Sequence, residues 1–278
     1  MTSDFLFTDA FISAAKKHFD VLLFEPTFSS KDGDFLGAVA HHTHQEKKLL
    51  IVSSKTPVDI LFPLIQTGKA TTTLINPSCG VPGFANKGFW DMRDIAKARD
   101  FGLQVVEPIY QEQVIDFFTM TSSCYIRLNE HISWKDQLPA VDASKTGCIS
   151  FQQYGYSGSN GTILCFGSLL VDTLYGAGYL QEEGHAMDVF VSSNPFFIIK
   201  DTLKESLQRT ENLIIVIDQH VGSLYEIWVK AMLSEAGLNN ISVHFITPYY
   251  QHISSVSTEY MYEQAQIDGF NMVKRIKV

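Results

Sequence analysis

Basic residues are in the minority. The 278-residue chain carries 21 Lys and Arg against 30 Asp and Glu, a formal net charge of −9. No basic stripe gathers along it, which sets nucleic acid aside as a ligand. Long apolar runs are missing too, since none approaches the ~20 residues that a membrane-spanning helix needs. Residues 1–17 lack a basic start followed by an apolar core, so no secretory leader is expected. Cysteine is scarce. Cys79, Cys124, Cys148 and Cys165 are not paired at metal-ligand spacing, and Cys165 lies in an apolar run. The expectation is reduced thiols in a cytoplasmic protein. There is no internal repeat and no low-complexity segment. The remaining composition, 45% hydrophobic and 18% charged, suits one large or two ordinary globular domains.

The strongest pattern runs from Gly161 to Trp228. It opens on Gly-Thr-Ile-Leu-Cys-Phe-Gly-Ser (161–168), an apolar run that ends in a glycine and a hydroxyl residue. Such a run predicts a buried parallel strand feeding a helix N-terminus. A helix is expected over 169–183, closed by Gly184, then a strand over 187–191 and a second helix over 200–208. The run 213–218, Leu-Ile-Ile-Val-Ile-Asp, is the third strand, with 219–223 as its exit loop and 224–236 as the next helix. Strand and helix in strict alternation predict a right-handed parallel α/β unit.

The first half alternates in the same way. Helices are expected over 5–18, 35–44, 57–65, 90–99 and 111–120, and strands over 21–25, 49–52, 71–75, 103–108 and 124–128. Two stretches break the pattern. Residues 76–88 hold three glycines and two prolines and predict an irregular, functional loop. Residues 129–159 carry few apolar runs and predict a linker.

At these residues the chain resembles the C-terminal half of the transketolase family, which includes deoxyxylulose-phosphate synthase and the beta subunits of 2-oxo-acid dehydrogenases. The order GTILCFGSLLVDTLYGAGYLQEEGHAMDVF, then ENLIIVIDQHVGSLYEIWVKAMLSEAG, is similar to that family's C-terminal domain. GFANKGFWDMRDIAKARDFGLQVVEP and CYIRL are similar to its pyrimidine-binding domain. The resemblance implies an α/β fold of two domains, each a mostly parallel sheet flanked by helices. By the same resemblance, residues 1–130 would form a shortened pyrimidine-binding domain, 131–160 a linker, and 161–278 the C-terminal domain.

In that family thiamine diphosphate lies between two polypeptide surfaces. One binds the diphosphate through a metal ion. The pyrimidine-binding domain supplies a glutamate that hydrogen-bonds the aminopyrimidine ring and promotes the cofactor's own carbanion chemistry. This chain has no Gly-Asp-Gly followed by the Asn-rich half of the metal motif, and Lys-Asp-Gly-Asp-Phe at 31–35 reads as a turn. Thiamine diphosphate and magnesium would therefore be shared with a partner chain. The resemblance makes Glu25 the candidate activating glutamate, although the same segment also aligns with the family's first strand, whose acidic residue is not catalytic. Phe62, the first aromatic after the strand 49–52, Asn86, which stands where the family often has a histidine, and Asp91 are the candidate cofactor contacts.

Other titratable residues read as follows. His41 and His44 can share a helix face and His42 sits between them, but no further zinc ligand is at hand. His220 follows a strand, where α/β proteins build sites. Arg127 ends a strand and could meet an anion or serve in an ion pair. The expected function is a subunit of a split transketolase-like enzyme that transfers a two-carbon ketol unit, as a homodimer or as a heterotetramer with a diphosphate-binding subunit. The alternatives are a non-catalytic scaffold or regulatory subunit, and a beta-like subunit of a 2-oxo-acid dehydrogenase.

Overall fold

The structure, a computed structural model, describes residues 6, 8–25, 35–53, 56–77, 79, 93–129, 132, 138, 151–154, 158–218, 223–249 and 258–276. Helix α1 (Asp9–His18) starts at Thr8, whose hydroxyl accepts from the Phe11 N–H at 3.3 Å. It closes on Lys16, Lys17 and His18, cations at the negative end of the helix dipole. Then follow β1 (Val21–Phe24), α2 (Phe35–Thr43), β2 (Lys48–Val52), α3 (Val58–Thr67), β3 (Thr71–Asn76), α4 (Arg93–Asp100), β4 (Gln104–Val106), α5 (Gln113–Asp116) and β5 (Cys124–Arg127). The sheet order is β1-β2-β3-β5-β4, and every pair is parallel. The single helix expected over 111–120 is instead the one turn of α5 followed by a 3-10 turn, Phe117–Thr119.

The second sheet holds β6 (Phe151–Tyr154), β7 (Gly161–Phe166), β8 (Met187–Ser192), β9 (Asn212–Val216) and β10 (Ser242–Ile246), in the order β10-β9-β7-β8-β6. Its helices are α6 (Leu170–Glu182), α7 (Asp201–Thr210), α8 (Ser223–Glu235), α9 (Thr258–Ala265) and α10 (Gly269–Arg275). β7 through β10 are parallel, as the apolar runs require, while β6 pairs antiparallel with β8 at the edge. β6 lies inside the stretch expected to be a linker. The chain enters β7 through a pinned turn. The Gly158 N–H donates to the buried Asp188 carboxylate at 2.7 Å, and Ser206 and Arg209 of α7 donate to its other oxygen.

β7 is buried along its whole length, and its alternating side chains serve two cores. Ile163 and Cys165 pack with α6 and α10. Leu164 and Phe166 join a cluster that runs on into the first sheet through Phe62 and Tyr125. The two sheets therefore share one apolar core, and the Arg99 guanidinium of α4 lies 4.6 Å over the Phe196 ring beyond β8. The connection after β7 leads toward β8, and the one after β9 leads away toward β10. This divergence makes a crevice at the carboxyl ends of β7 and β9, where α/β sheets bind ligands.

Candidate functional site

The strand exits of both sheets meet around a cavity of about 10 Å³, room for about one water. Cys79, Glu107, Pro108, Arg127 and Asn129 line it from the first sheet, and Ser168 and Asp218 from the β7/β9 crevice. Parallel pairing brings these residues together. β5 lies between β3 and β4, so Arg127 at its end sits beside the exits of both neighbours.

Arg127 is the centre of the charge. Its Nε donates to Asp94 Oδ2 at 2.9 Å and its Nη1 donates to Glu107. The Tyr125 hydroxyl donates to the same Asp94 oxygen at 2.9 Å, and the Ile95 N–H donates to the other. Across the cavity Asn129 Nδ2 donates to Asp218 and to the Tyr262 hydroxyl, which in turn donates to Asp218 at 3.2 Å. The Glu107 N–H donates to the Ser193 carbonyl at 2.7 Å, a direct main-chain bond between the halves. All of these side chains are buried.

One guanidinium thus pairs with two carboxyl groups out of water, and a third, Asp218, lines the same cavity. Burial pushes the Glu107 carboxyl up to about 7, and Asp218 and Asp94 add to the shift while Arg127 opposes it. Burial raises the Asp94 carboxyl as well, against the pull of Arg127. For Arg127 burial works toward deprotonation, but Asp94 and Glu107 outweigh it and hold the proton firmly. Burial also drives the Cys79 thiol far up, so it stays protonated and unreactive. Ser168 is hydrogen-bonded to Tyr262. What the arrangement can do chemically is fix two sheets together and hold a proton on Glu107 near neutral pH.

Of the residues expected from sequence, Arg127 lies at this cavity, while Glu25 and Phe62 lie away from it. Glu25 follows β1 at the far edge of the first sheet, three strand spacings or about 14 Å from the β5 exit. It is half-buried. Ser53 Oγ and the Thr56 N–H donate to its Oε2 at 2.7 and 3.2 Å, and Thr56 Oγ1 donates to its Oε1 at 2.5 Å. Phe62 is sealed in the shared core, edge-on to Tyr125 with ring centroids 5.1 Å apart. Asn86, Asp91, His220, Cys148 and residues 31–34 lie outside the described residues. The His41 ring nitrogen meets Gln45 at 2.9 Å, and no group of residues that could hold a metal ion occurs among the described residues. Cys79, Cys124 and Cys165 are buried thiols that are not joined in disulfides.

Sequence reading passed over Asp94, Glu107 and Tyr262. Asp94 and Glu107 had a usable signal, an acid in the first turn of a helix and an acid closing an apolar strand before Pro108. Tyr262 had none, because its helix is short and follows β10, beyond the strongest pattern.

The architecture is that of the transketolase fold. Among solved structures the chain is similar to a split-gene transketolase described as an inactive beta4 tetramer, at 18% identity and a TM-score of 0.66, over 91% of this chain and 89% of that one. It is also similar to transketolase from Campylobacter jejuni subsp. jejuni, at 13% identity and a TM-score of 0.54, over 82% of this chain and 35% of that one. At these identities the likeness is one of fold. No protein-family model matches the chain, and no curated protein matches it by sequence.

Proposed function

We propose that the chain is a subunit of a split transketolase-type assembly, in which a partner chain supplies the half that binds the charged end of thiamine diphosphate. The observation that carries this reading is the two-way match to the split-gene chain, over about nine-tenths of both molecules. The absence of Gly-Asp-Gly and its Asn-rich half from the sequence supports the same division of labour. A cytoplasmic setting accords with three buried thiols that are not joined in disulfides. No helix among the described residues is long and apolar enough to cross a membrane.

The described residues by themselves do not fit thiamine diphosphate with magnesium. They hold no metal-capable cluster for the diphosphate end. At the pyrimidine end Phe62 has no exposed ring face, and both Glu25 oxygens already accept bonds from Ser53 and Thr56.

Two roles within the assembly follow. In the first, Glu25 is the activating carboxylate and the complex transfers a two-carbon ketol unit. In the second, the chain is a non-catalytic scaffold or regulatory subunit, which the hold of Ser53 and Thr56 on Glu25 favours. Glu25→Gln in the assembled complex separates them. If Glu25 activates the cofactor, ketol transfer falls by about 10²–10⁴ while assembly is unchanged, the scale of losing a positioned acid-base group. If Glu25 is structural, turnover is retained and only thermal stability shifts.

A further inference from the structure

Polar contacts between the two sheets gather around Glu107. Its N–H donates to the Ser193 carbonyl at 2.7 Å, from the exit of β4 to the exit of β8. Gly167, where β7 ends, comes so close that a Cβ there would sit 2.9 Å from Glu107 Cβ. Beside this point Asn129, past the end of β5, donates to Asp218, past the end of β9, and to Tyr262 of α9. The Glu107 carboxyl lines the same cavity as Asp218. Each sheet thus contributes an acid to the cavity, and the cavity is the seam between them.

Titratable groups face Glu107 from every side. Arg127 of β5 pairs with its carboxyl, and Asp94 at the start of α4 shares that guanidinium. Cys79 follows β3, and its thiol stays protonated. Tyr225 of α8 is buried within reach of the Glu107 charge, donates to the Pro195 carbonyl at 2.7 Å and also keeps its proton. Asp218 is the acid from the other sheet, and its charge opposes ionisation of Glu107. Arg127 and Asp94 belong to the first sheet and stay with Glu107 if the sheets part. Parting takes Asp218 away and lets water in, and so removes two influences that keep the proton on Glu107. Closing restores both, which links proton binding to closure. We propose that the seam between the two sheets is a proton-operated latch, closed while Glu107 is neutral and released when Glu107 ionises against Asp218. The sheets part far enough to wet the cavity, and neither sheet unfolds. The crevice at the carboxyl ends of β7 and β9 opens to water in the same movement. The latch belongs to this chain alone, whichever role the chain plays in an assembly.

Proton count sets the direction. The closed state holds Glu107 at about 7 against an ordinary 4.5, so between those limits opening releases a proton. The opening constant therefore rises with pH, by up to about tenfold per pH unit, and levels off above 7. Hydrogen exchange on the full chain reads this opening. The Glu107 amide should exchange about tenfold faster or more at pH 8 than at pH 5.5, after correction for the intrinsic rate. At pH 8 it should also run at least about tenfold ahead of the Ile51 amide in β2 and the Ile215 amide in β9, because the sheets stay folded while the seam is open. Glu107→Gln should abolish the pH dependence at residue 107. Asp218→Asn removes the facing charge, spares the Arg127 pair and should move the midpoint to lower pH. A corrected rate that is flat between pH 5.5 and pH 8, or that varies equally in Glu107→Gln, overturns the latch. So does a residue-107 amide that exchanges only in step with Ile51 and Ile215, since the proton is then tied to unfolding of the whole chain. An unchanged midpoint in Asp218→Asn overturns the part given to Asp218.

Discussion

Arg127 shows how much of this molecule is decided by single buried groups. Its guanidinium is held on one side by Asp94 and on the other by Glu107, all three out of water. Arg127→Met keeps the volume and removes the charge, leaving two buried carboxyls uncompensated. We expect a loss of about 3–5 kcal/mol, read as a lower midpoint in urea unfolding. Glu107 makes a second, separate prediction. Its folded-state value of about 7 lies above its ordinary 4.5, so between those limits the folded chain holds more protons than the unfolded one. Its contribution to stability is therefore fully present below pH 4.5 and is lost as pH rises through 7. Asp94, also raised, acts in the same direction. The difference in unfolding free energy between wild type and Glu107→Gln should move against the wild type from pH 5 to pH 8. A constant difference would mean that Glu107 is not the titrating group. The sequence displayed Arg127 as a strand-end cation and offered an ion pair as one of its roles. It could not display the partners, because Glu107 is 20 residues away and becomes a neighbour only when β5 inserts between β3 and β4.

Elements were legible where their period was strong. The apolar runs of β2, β7 and β9 are buried through nearly all their length, and each was apparent as a strand from composition alone. β6 was not. Phe-Gln-Gln-Tyr is four residues long, half polar, and sits among glycines in a stretch with few apolar runs. Only pairing with β8 makes it a strand. The irregular ends matter as much as the strands. At Gly167 the chain leaves β7 with φ at +51° and passes so close to the first sheet that an added Cβ would sit 2.9 Å from Glu107 Cβ and 3.1 Å from the Pro108 carbonyl oxygen. Gly167→Ala must therefore strain the turn and push the sheets apart. We expect a cost of at least about 1 kcal/mol, the scale of replacing a glycine where the native φ is positive. The check is a thermal melt beside Gly178→Ala, a helical position where the added Cβ meets nothing within 4 Å. An equal melting temperature for wild type and Gly167→Ala would show that the contact between the sheets is softer than its geometry implies.

At the scale of the whole molecule, the two sheets share a core and close on a cavity of their own charged groups, and the likeness to transketolase structures is carried by this architecture. The α/β class and the two-sheet plan were legible from alternation and from the resemblance of particular segments. The candidate site was legible only in part. The expected contacts sit at the β1 exit, inside the core, or outside the described residues, while the buried network at the crevice depends on strand order, which no local pattern encodes. The central claim, a subunit whose assembly needs a diphosphate-binding partner, has a direct test. The chain, tagged at its chromosomal locus, is isolated under native conditions and the intact complex is weighed by native mass spectrometry with thiamine diphosphate and magnesium present. The account predicts a complex that contains a second chain with the Gly-Asp-Gly…Asn motif and gains the mass of the cofactor, while the purified chain alone gains none. Tight, stoichiometric cofactor binding by the chain alone, or a native complex with no such second chain, would contradict it.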